Sequence, residues 1–335
     1  MKIHKQDGMT LIELMVALAI GAFLMIGAIT VFMQSRTTFR VTESLSRMQE
    51  NARFALNLIE SDVRMAHYWG LNTVTSTVAN RAGPAAANGP GVDTCGNNWT
   101  INLDQAVQGT NGSAPWPWAL CTGLAPVEAN ADTLVVRHAS EDPVVPAAGG
   151  LHIQSVRGIG DSRIFVGTAI PAGYTAATSQ THRLLANGYY VSRTSSVSTA
   201  GVNDVPSLRM HSLRQDGTMF PPITAGQELV AGIEDFQIQF GVDTNVPGHI
   251  DRGSIDRYLN PNDPMITPGA AGFDPNAAVL AVRVWLRVRA ERPENGFLDT
   301  AVYQYAGQNF GPFSDNFRRM VVSKTIYLRN ARPNS

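Results

Sequence analysis

Apolar and polar positions divide the chain into stretches of different period. From Leu14 to Met33 the run LMVALAIGAFLMIGAITVFM carries no charge and a single hydroxyl, Thr30. It is apolar on every side, which suits lipid or a tightly packed bundle rather than a half-exposed surface helix. At about 1.5 Å per residue it reaches about 30 Å, the thickness of a bilayer core. From Val41 the apolar positions Val41, Leu45, Met48, Ala52, Ala55 and Ile59 recur in steps of four and three, the stripe of an amphipathic helix. Helix formers dominate as far as Met65, no proline precedes Pro84, and Gly70 is the expected stop. The pattern predicts one continuous helix from about Thr10 to Tyr68, roughly 90 Å long. Its first half belongs in a membrane or filament core, its second half against a globular head.

Residues 70–130 break this pattern. They are rich in Gly, Ala, Asn and Pro, as in Asn88-Gly89-Pro90-Gly91, and predict loop with few regular elements. Trp99, Trp116 and Trp118 fall in this region, where packing beneath the loop is their expected role. From Thr133 the period becomes two. Expected strands are 133–138, 163–167, 189–193, 208–213, 234–242, 279–289 and 320–329. Phe236, Ile238 and Phe240 alternate with Gln237 and Gln239; Val282, Val284, Leu286 and Val288 alternate with Arg283, Trp285, Arg287 and Arg289. One apolar face per strand means half-buried, antiparallel pairing. The fold class is α+β: a long N-terminal helix packed on an antiparallel β-sheet-rich head.

Composition narrows the function. The 335 residues are 44% hydrophobic and 16% charged, which excludes a disordered polyelectrolyte. The formal net charge of −1 supplies no overall pull on nucleic acid or anionic lipid. The lysines are Lys2, Lys5 and Lys324, and the other cationic side chains are arginines. Two cysteines, Cys95 and Cys121, are too few for a Cys-only metal site and enough for one disulfide.

The N-terminus MKIHKQDG is a short basic leader. A secretory signal peptide competes for this reading. Against it, the apolar run exceeds a usual signal core, no small-x-small cleavage site follows at Gln34–Thr37, and the helical pattern continues beyond. The positive leader places the N-terminus inside and the polar C-terminal part outside. Glu13 stands at the edge of the apolar run, where a carboxylate is costly and is a functional candidate; the alternative is that it rests inertly among head groups.

The stretch Gly8-Met9-Thr10-Leu11-Ile12-Glu13-Leu14 resembles a type IV prepilin processing site. The resemblance implies cleavage between Gly8 and Met9 by a prepilin peptidase, N-methylation of Met9, and a role for Glu13 as the pilin glutamate that fixes register during assembly. Phenylalanine is the family's usual residue after the cut, so methionine here is a departure. The helix MQENARFALNLIESDVRMAHYWG resembles that of PilW-like minor pilins, and more loosely that of J-type pseudopilins of type II secretion. LVAGIEDFQIQFGVDTN, AVRVWLRVRAE and FRRMVVSKTIYLRNAR look like the PilW-type C-terminal half; the middle of the chain is not matched. The implied organisation is a leader (1–8), a transmembrane and filament-core helix (9–33), an amphipathic helix (34–69), a loop-rich region (70–130) and a β-rich head (131–335).

The implied function is that of a minor pilin in the initiation and tip complex of a type IV pilus. Its partners would be the prepilin peptidase, other minor pilins, the major pilin, the inner-membrane assembly platform and a tip adhesin, with the head in the periplasm. That compartment permits a Cys95–Cys121 disulfide; free thiols are the alternative. Two other readings stand beside this one: a J- or K-type pseudopilin of type II secretion, and a membrane-anchored periplasmic hydrolase.

Other chemistry is sparse. Arg283, Arg287 and Arg289 read as a nucleic-acid patch or, in preference, as a ladder paired with acidic neighbours and stacked on Trp285. Asp243, Asn245 and Asp251 have oxygen ligands near calcium-loop spacing but lack the closing glutamate. The histidines show no metal spacing, and no nucleotide or nucleophile motif occurs. No cofactor is implied and no catalytic residue is assigned.

Overall fold

The structure, a computed structural model, describes residues 9–79, 99–112, 118, 127–157, 161–198, 204–213, 219–220 and 226–331. The chain divides between Arg47 and Met48 into two compact units.

The first unit is helical. Helix α1 runs Leu11–Met65 without interruption, close to the expected span. Every residue from Met9 to Arg40 is exposed, so the whole apolar run is offered to its surroundings. Thr30 does not interrupt that surface, because its hydroxyl donates to the Ile26 carbonyl one turn back, at 2.8 Å; a hydroxyl satisfied inside its own helix suits a water-free environment. Thr37, Thr38 and Thr42 do the same.

The second unit begins where the amphipathic stripe sinks into a core. Met48, Ala52, Ala55, Leu56, Ile59 and Val63 are buried, whereas Leu45 stays partly exposed. The helix ends at Met65. Gly70, the expected stop, sits five residues on with φ +86°. A Cβ at Gly70 would lie 2.5 Å from the His182 ring, so the close approach of chain and ring, as well as the left-handed backbone, needs glycine there.

Fifteen strands follow among the described residues: β1 (Val78–Ala79), β2 (Val107–Thr110), β3 (Thr133–Ala139), β4 (Leu151–Val156), β5 (Ser162–Val166), β6 (Ser179–Ser192), β7 (Ser207–Leu213), β8 (Met219–Phe220), β9 (Gln227–Ala231), β10 (Ile233–Asp243), β11 (Arg257–Leu259), β12 (Ala278–Arg289), β13 (Tyr303–Tyr305), β14 (Gln308–Phe310) and β15 (Arg319–Tyr327). Nine of them form one sheet in the order β1-β5-β4-β6-β3-β2, with β7 joining β6 to β8 and β9. The pairing is antiparallel except for β1 with β5. A four-stranded antiparallel sheet runs β11-β10-β12-β15, and β13-β14 is a hairpin.

The four-stranded sheet follows the alternation. Phe236, Ile238 and Phe240 lie opposite Leu286, Val284 and Val282, and these six side chains are buried with the α1 stripe in one core. Burial of one apolar face is what fixes strand register.

The largest departure from expectation is β6, which begins ten residues before the expected strand 189–193. Its first half, Ser-Gln-Thr-His-Arg, has no apolar alternation, yet it pairs with β4 from Ser179 to Arg183. Thr181 and His182 are buried there because Gln154 Oε1 and the Ser140 carbonyl accept their hydrogen bonds. β4, β9, β11 and the β13-β14 hairpin were also not expected. Within 70–130 the regular structure described is β1, β2 and three short 3-10 turns. Trp99 and Trp118 are buried there, their ring centroids 5.4 Å apart, and Gly188 on β6 leaves room for the Trp118 ring. Trp116 lies outside the described residues.

Candidate functional site

The N-terminal end of α1 is built by Thr10 and Glu13. The Thr10 backbone N–H and hydroxyl donate to Glu13 Oε2 at 3.0 and 2.9 Å, and the Glu13 N–H points back to Thr10 Oγ1 at 3.4 Å. This is a reciprocal capping box, which satisfies otherwise orphaned helix donors. It also sets an acid in the first turn, where the helix dipole favours it. Glu13 therefore stands one turn from Met9, exposed, at the head of a run with mean hydropathy 2.5. Gly8, on the other side of the expected cut, lies outside the described residues, as do Cys95 and Cys121.

At the other end of α1, Asp62 interrupts the buried stripe and forms a polar clasp to the large sheet. Its carboxylate meets His138 Nε2 of β3 at 2.7 Å, Asn187 Nδ2 of β6 at 3.0 Å and the Tyr189 hydroxyl at 3.0 Å. Burial opposes charge on the imidazole, but the hydrogen bond and charge of Asp62 outweigh it and raise the His138 pKa. Burial and the same carboxylate raise the Tyr189 pKa. His138 Nδ1 faces the Ala139 carbonyl. A carboxylate and a histidine in contact are parts of a hydrolytic relay, but no serine hydroxyl or cysteine thiol is among these partners. The arrangement holds helix to sheet. Sequence pattern alone missed it; the signal was a carboxylate on the buried face of an amphipathic helix. Two residues before Asp62, Glu60 pairs with Lys324 of β15 and with Arg64.

The arginine face of β12 is occupied internally. Arg287 reaches Glu234, Asp235 and Tyr305. Arg289 reaches Glu234 and the Asp204 carbonyl. Arg283 lies 3.5 Å over the Tyr258 ring and 5.8 Å from Trp285. Arg319 of β15 completes the group with Glu234, Asp299 and Asp315. Four carboxylates thus share three guanidinium groups, and the charge that suggested a nucleic-acid patch is largely spent inside the head. The ladder is the observed arrangement.

The calcium candidates are likewise engaged. Asp243 accepts from the Asn245 N–H at 2.8 Å and the Gly253 N–H at 2.6 Å, with Arg252 3.8 Å away. Asn245 donates from its side chain toward the Asp251 carbonyl oxygen and Asp256. Asp256 accepts from Thr244 twice. No group of three or more metal-ligating side chains occurs among the described residues.

One buried carboxylate joins the two main sheets. Asp132 accepts from the Ile238 N–H at 2.9 Å and the Gly112 N–H at 3.1 Å, and its own N–H donates to the Phe236 carbonyl. Burial pushes its pKa up to about 7, against those two hydrogen bonds.

Comparison with protein families gives two matches. The prokaryotic N-terminal methylation motif covers residues 3–29, and type IV pilus-assembly protein W covers residues 188–330. No curated protein and no solved structure matches the chain. The second match spans the latter part of β6 through β15, and so includes both arginine-bearing strands and the whole four-stranded sheet. A methylation-motif N-terminus on an exposed apolar helix, joined to a β-rich head with this C-terminal half, supports a PilW-like type IV pilus pilin.

Proposed function

We propose that the chain is a minor pilin that joins the complex from which a type IV pilus is started. A prepilin peptidase would cut between Gly8 and Met9, and methylation would fall on the new Met9 amine. The apolar helix would hold the protein in the inner membrane until assembly, with its head in the periplasm. Residues 1–8, 9–33, 34–69, 70–130 and 131–335 would serve as leader, membrane and filament-core helix, amphipathic helix, loop region and head. The work of the molecule is then helix packing and head-to-head contact with other minor pilins, the major pilin, the assembly platform and a tip adhesin, without chemistry of its own.

The observation that carries this reading is the placement of Glu13, one turn from Met9 and immediately before a charge-free helical surface that is exposed throughout. In a low-dielectric bundle neither a lone carboxylate nor a lone ammonium is tolerated. A Glu13 carboxylate beside the Met9 amine of a neighbouring subunit compensates both charges and sets the axial offset between helices.

The test is intact-mass analysis of protein from cells containing the peptidase, with the peptidase-deficient strain as control. Loss of the first eight residues in the first strain alone is expected; a leader retained in both overturns the proposal. A deletion strain separates the two secretion-related readings. Lost surface pili with normal exoprotein secretion supports a pilus subunit, and the converse supports a pseudopilin.

A further inference from the structure

Strand β15 lies at the border of its sheet. It pairs with β12 without a break from Arg319 opposite Arg289 to Tyr327 opposite Ala281, and among the described residues no strand pairs with its other edge. Beside it runs the head portion of α1, and between them is an open groove of about 280 Å³. Leu56 is buried in its floor, with Met320 and Val322 half-buried. Gln49, Arg53 and Asn57 form the helix wall. Their spacing of four aligns them on one helix face. All three are exposed, and among the described residues none of their side chains has a hydrogen-bond or ion-pair partner.

Both walls of the groove therefore offer unpaired hydrogen-bonding groups above an apolar floor. A free strand edge presents a repeating row of N–H and C=O groups, and another extended chain is the ligand that matches such a row. The charge is one-sided: the lining holds Arg53 and Lys324 and no carboxylate. Lys324 is already held by Glu60, which leaves Arg53 as the cation without a counter-ion.

We propose that this groove receives an extended acidic segment of a partner polypeptide, added to β15 as a fifth strand of the four-stranded sheet. On the added strand, alternate side chains face α1. Those positions would read apolar, acidic, apolar: the apolar side chains cover Met320 and Val322, and the acid meets Arg53. This surface is on the head, so the inference stands apart from the role assigned to Glu13 and is tested without pilus assembly.

The test uses the full chain in detergent micelles and fluorescein-labelled peptides. The acidic probe is Thr-Val-Thr-Glu-Thr-Val-Thr, blocked at its C-terminus. One control replaces glutamate by lysine; another carries N-methyl groups on alternate backbone amides, which removes strand hydrogen bonding. The acidic probe should bind, slow hydrogen exchange in β15, and lose affinity by about tenfold with Arg53→Glu, while the N-methylated probe should not bind. Arg53 is exposed, so the charge reversal leaves the core intact, and unchanged melting of the variant checks this. Equal binding of the N-methylated probe overturns the proposal, as does equal binding to the Arg53→Glu protein. Absence of binding by every probe also overturns it, and makes Lys324 a charge that guards a closed edge.

Discussion

Asp62 on α1 and His138 on β3 stand 2.7 Å apart, oxygen to Nε2, with both side chains less than one-tenth exposed. Helix and sheet are thus tied by a charged hydrogen bond inside the core as well as by apolar packing. Asp62→Ala strips the acceptor from His138, Asn187 and Tyr189 together, and such losses cost on the order of 3 kcal/mol. Asp62→Asn, which keeps one carbonyl oxygen, should cost less. Urea unfolding of the full chain checks the order of the three proteins. Equal midpoints would show that the clasp adds nothing to stability.

The contribution of Asp132 and His138 to stability should fall as pH rises from 6.5 to 8, while that of His67 and His211, whose pKa values burial lowers to about 4, rises over the same range. Asp132 has its pKa raised from 3.8 to about 7, so the folded state holds a proton that the unfolded state has released, and ionisation works against folding up to that value. His138, raised above its ordinary 6.5, contributes stability that is complete below 6.5 and lost as pH passes its folded pKa. The two act in the same direction in this window. The Asp132 share above pH 6.5 is on the order of 1 kcal/mol. Thermal unfolding at pH 6.5 and 8 measures the slope, and removing the carboxyl at 132 (Asp132→Asn) should take away its falling share and make the slope more positive. A slope left unchanged by Asp132→Asn would refute the assignment.

Glu13 has two jobs that substitution can separate. Thr10→Ala removes the hydroxyl of the capping box and keeps the charge. Glu13→Gln keeps a side-chain acceptor for the cap and removes the charge. If the carboxylate recruits a neighbouring amine, co-purification with partner pilins should survive the first change and fail with the second. Failure of both, or of neither, would count against charge pairing.

Glu234 faces three guanidinium groups, those of Arg287, Arg289 and Arg319. Burial resists its ionisation, but the arginines more than offset this and lower its pKa. Glu234→Ala leaves these cations short of a carboxylate in a half-closed site and should destabilise the head by about 3–5 kcal/mol. Glu234→Gln should recover a part of that by hydrogen bonding. Calorimetry of the two variants tests the order.

Cys95 and Cys121 are proposed to be joined once the head reaches the periplasm. Mass analysis without reduction should find the chain 2 Da lighter than its reduced form, and peptide mapping should recover the two segments linked. Alkylation of both thiols in unreduced protein would refute the bond.

Legibility followed chemistry. The α1 helix was readable because its apolar run and its stripe at three-and-four spacing depend on neighbours along the chain. β10, β12 and β15 were readable because one face of each is apolar. The first half of β6 was not, because Thr181 and His182 go inside on the strength of partners at Gln154 and Ser140, distant in sequence. Asp62 was unreadable for the same reason: three of its partners come from β3 and β6.

The sequence by itself determined a long apolar helix with an acid at its start, an amphipathic continuation and a β-rich remainder, since hydrophobic period is a local property. Tertiary structure decided which strands became neighbours, where the arginines of β12 and β15 found their carboxylates, and which edge stayed open beside α1. Those are outcomes of pairing between residues far apart in the chain, where burial makes an unpartnered polar group costly and selects arrangements that satisfy it.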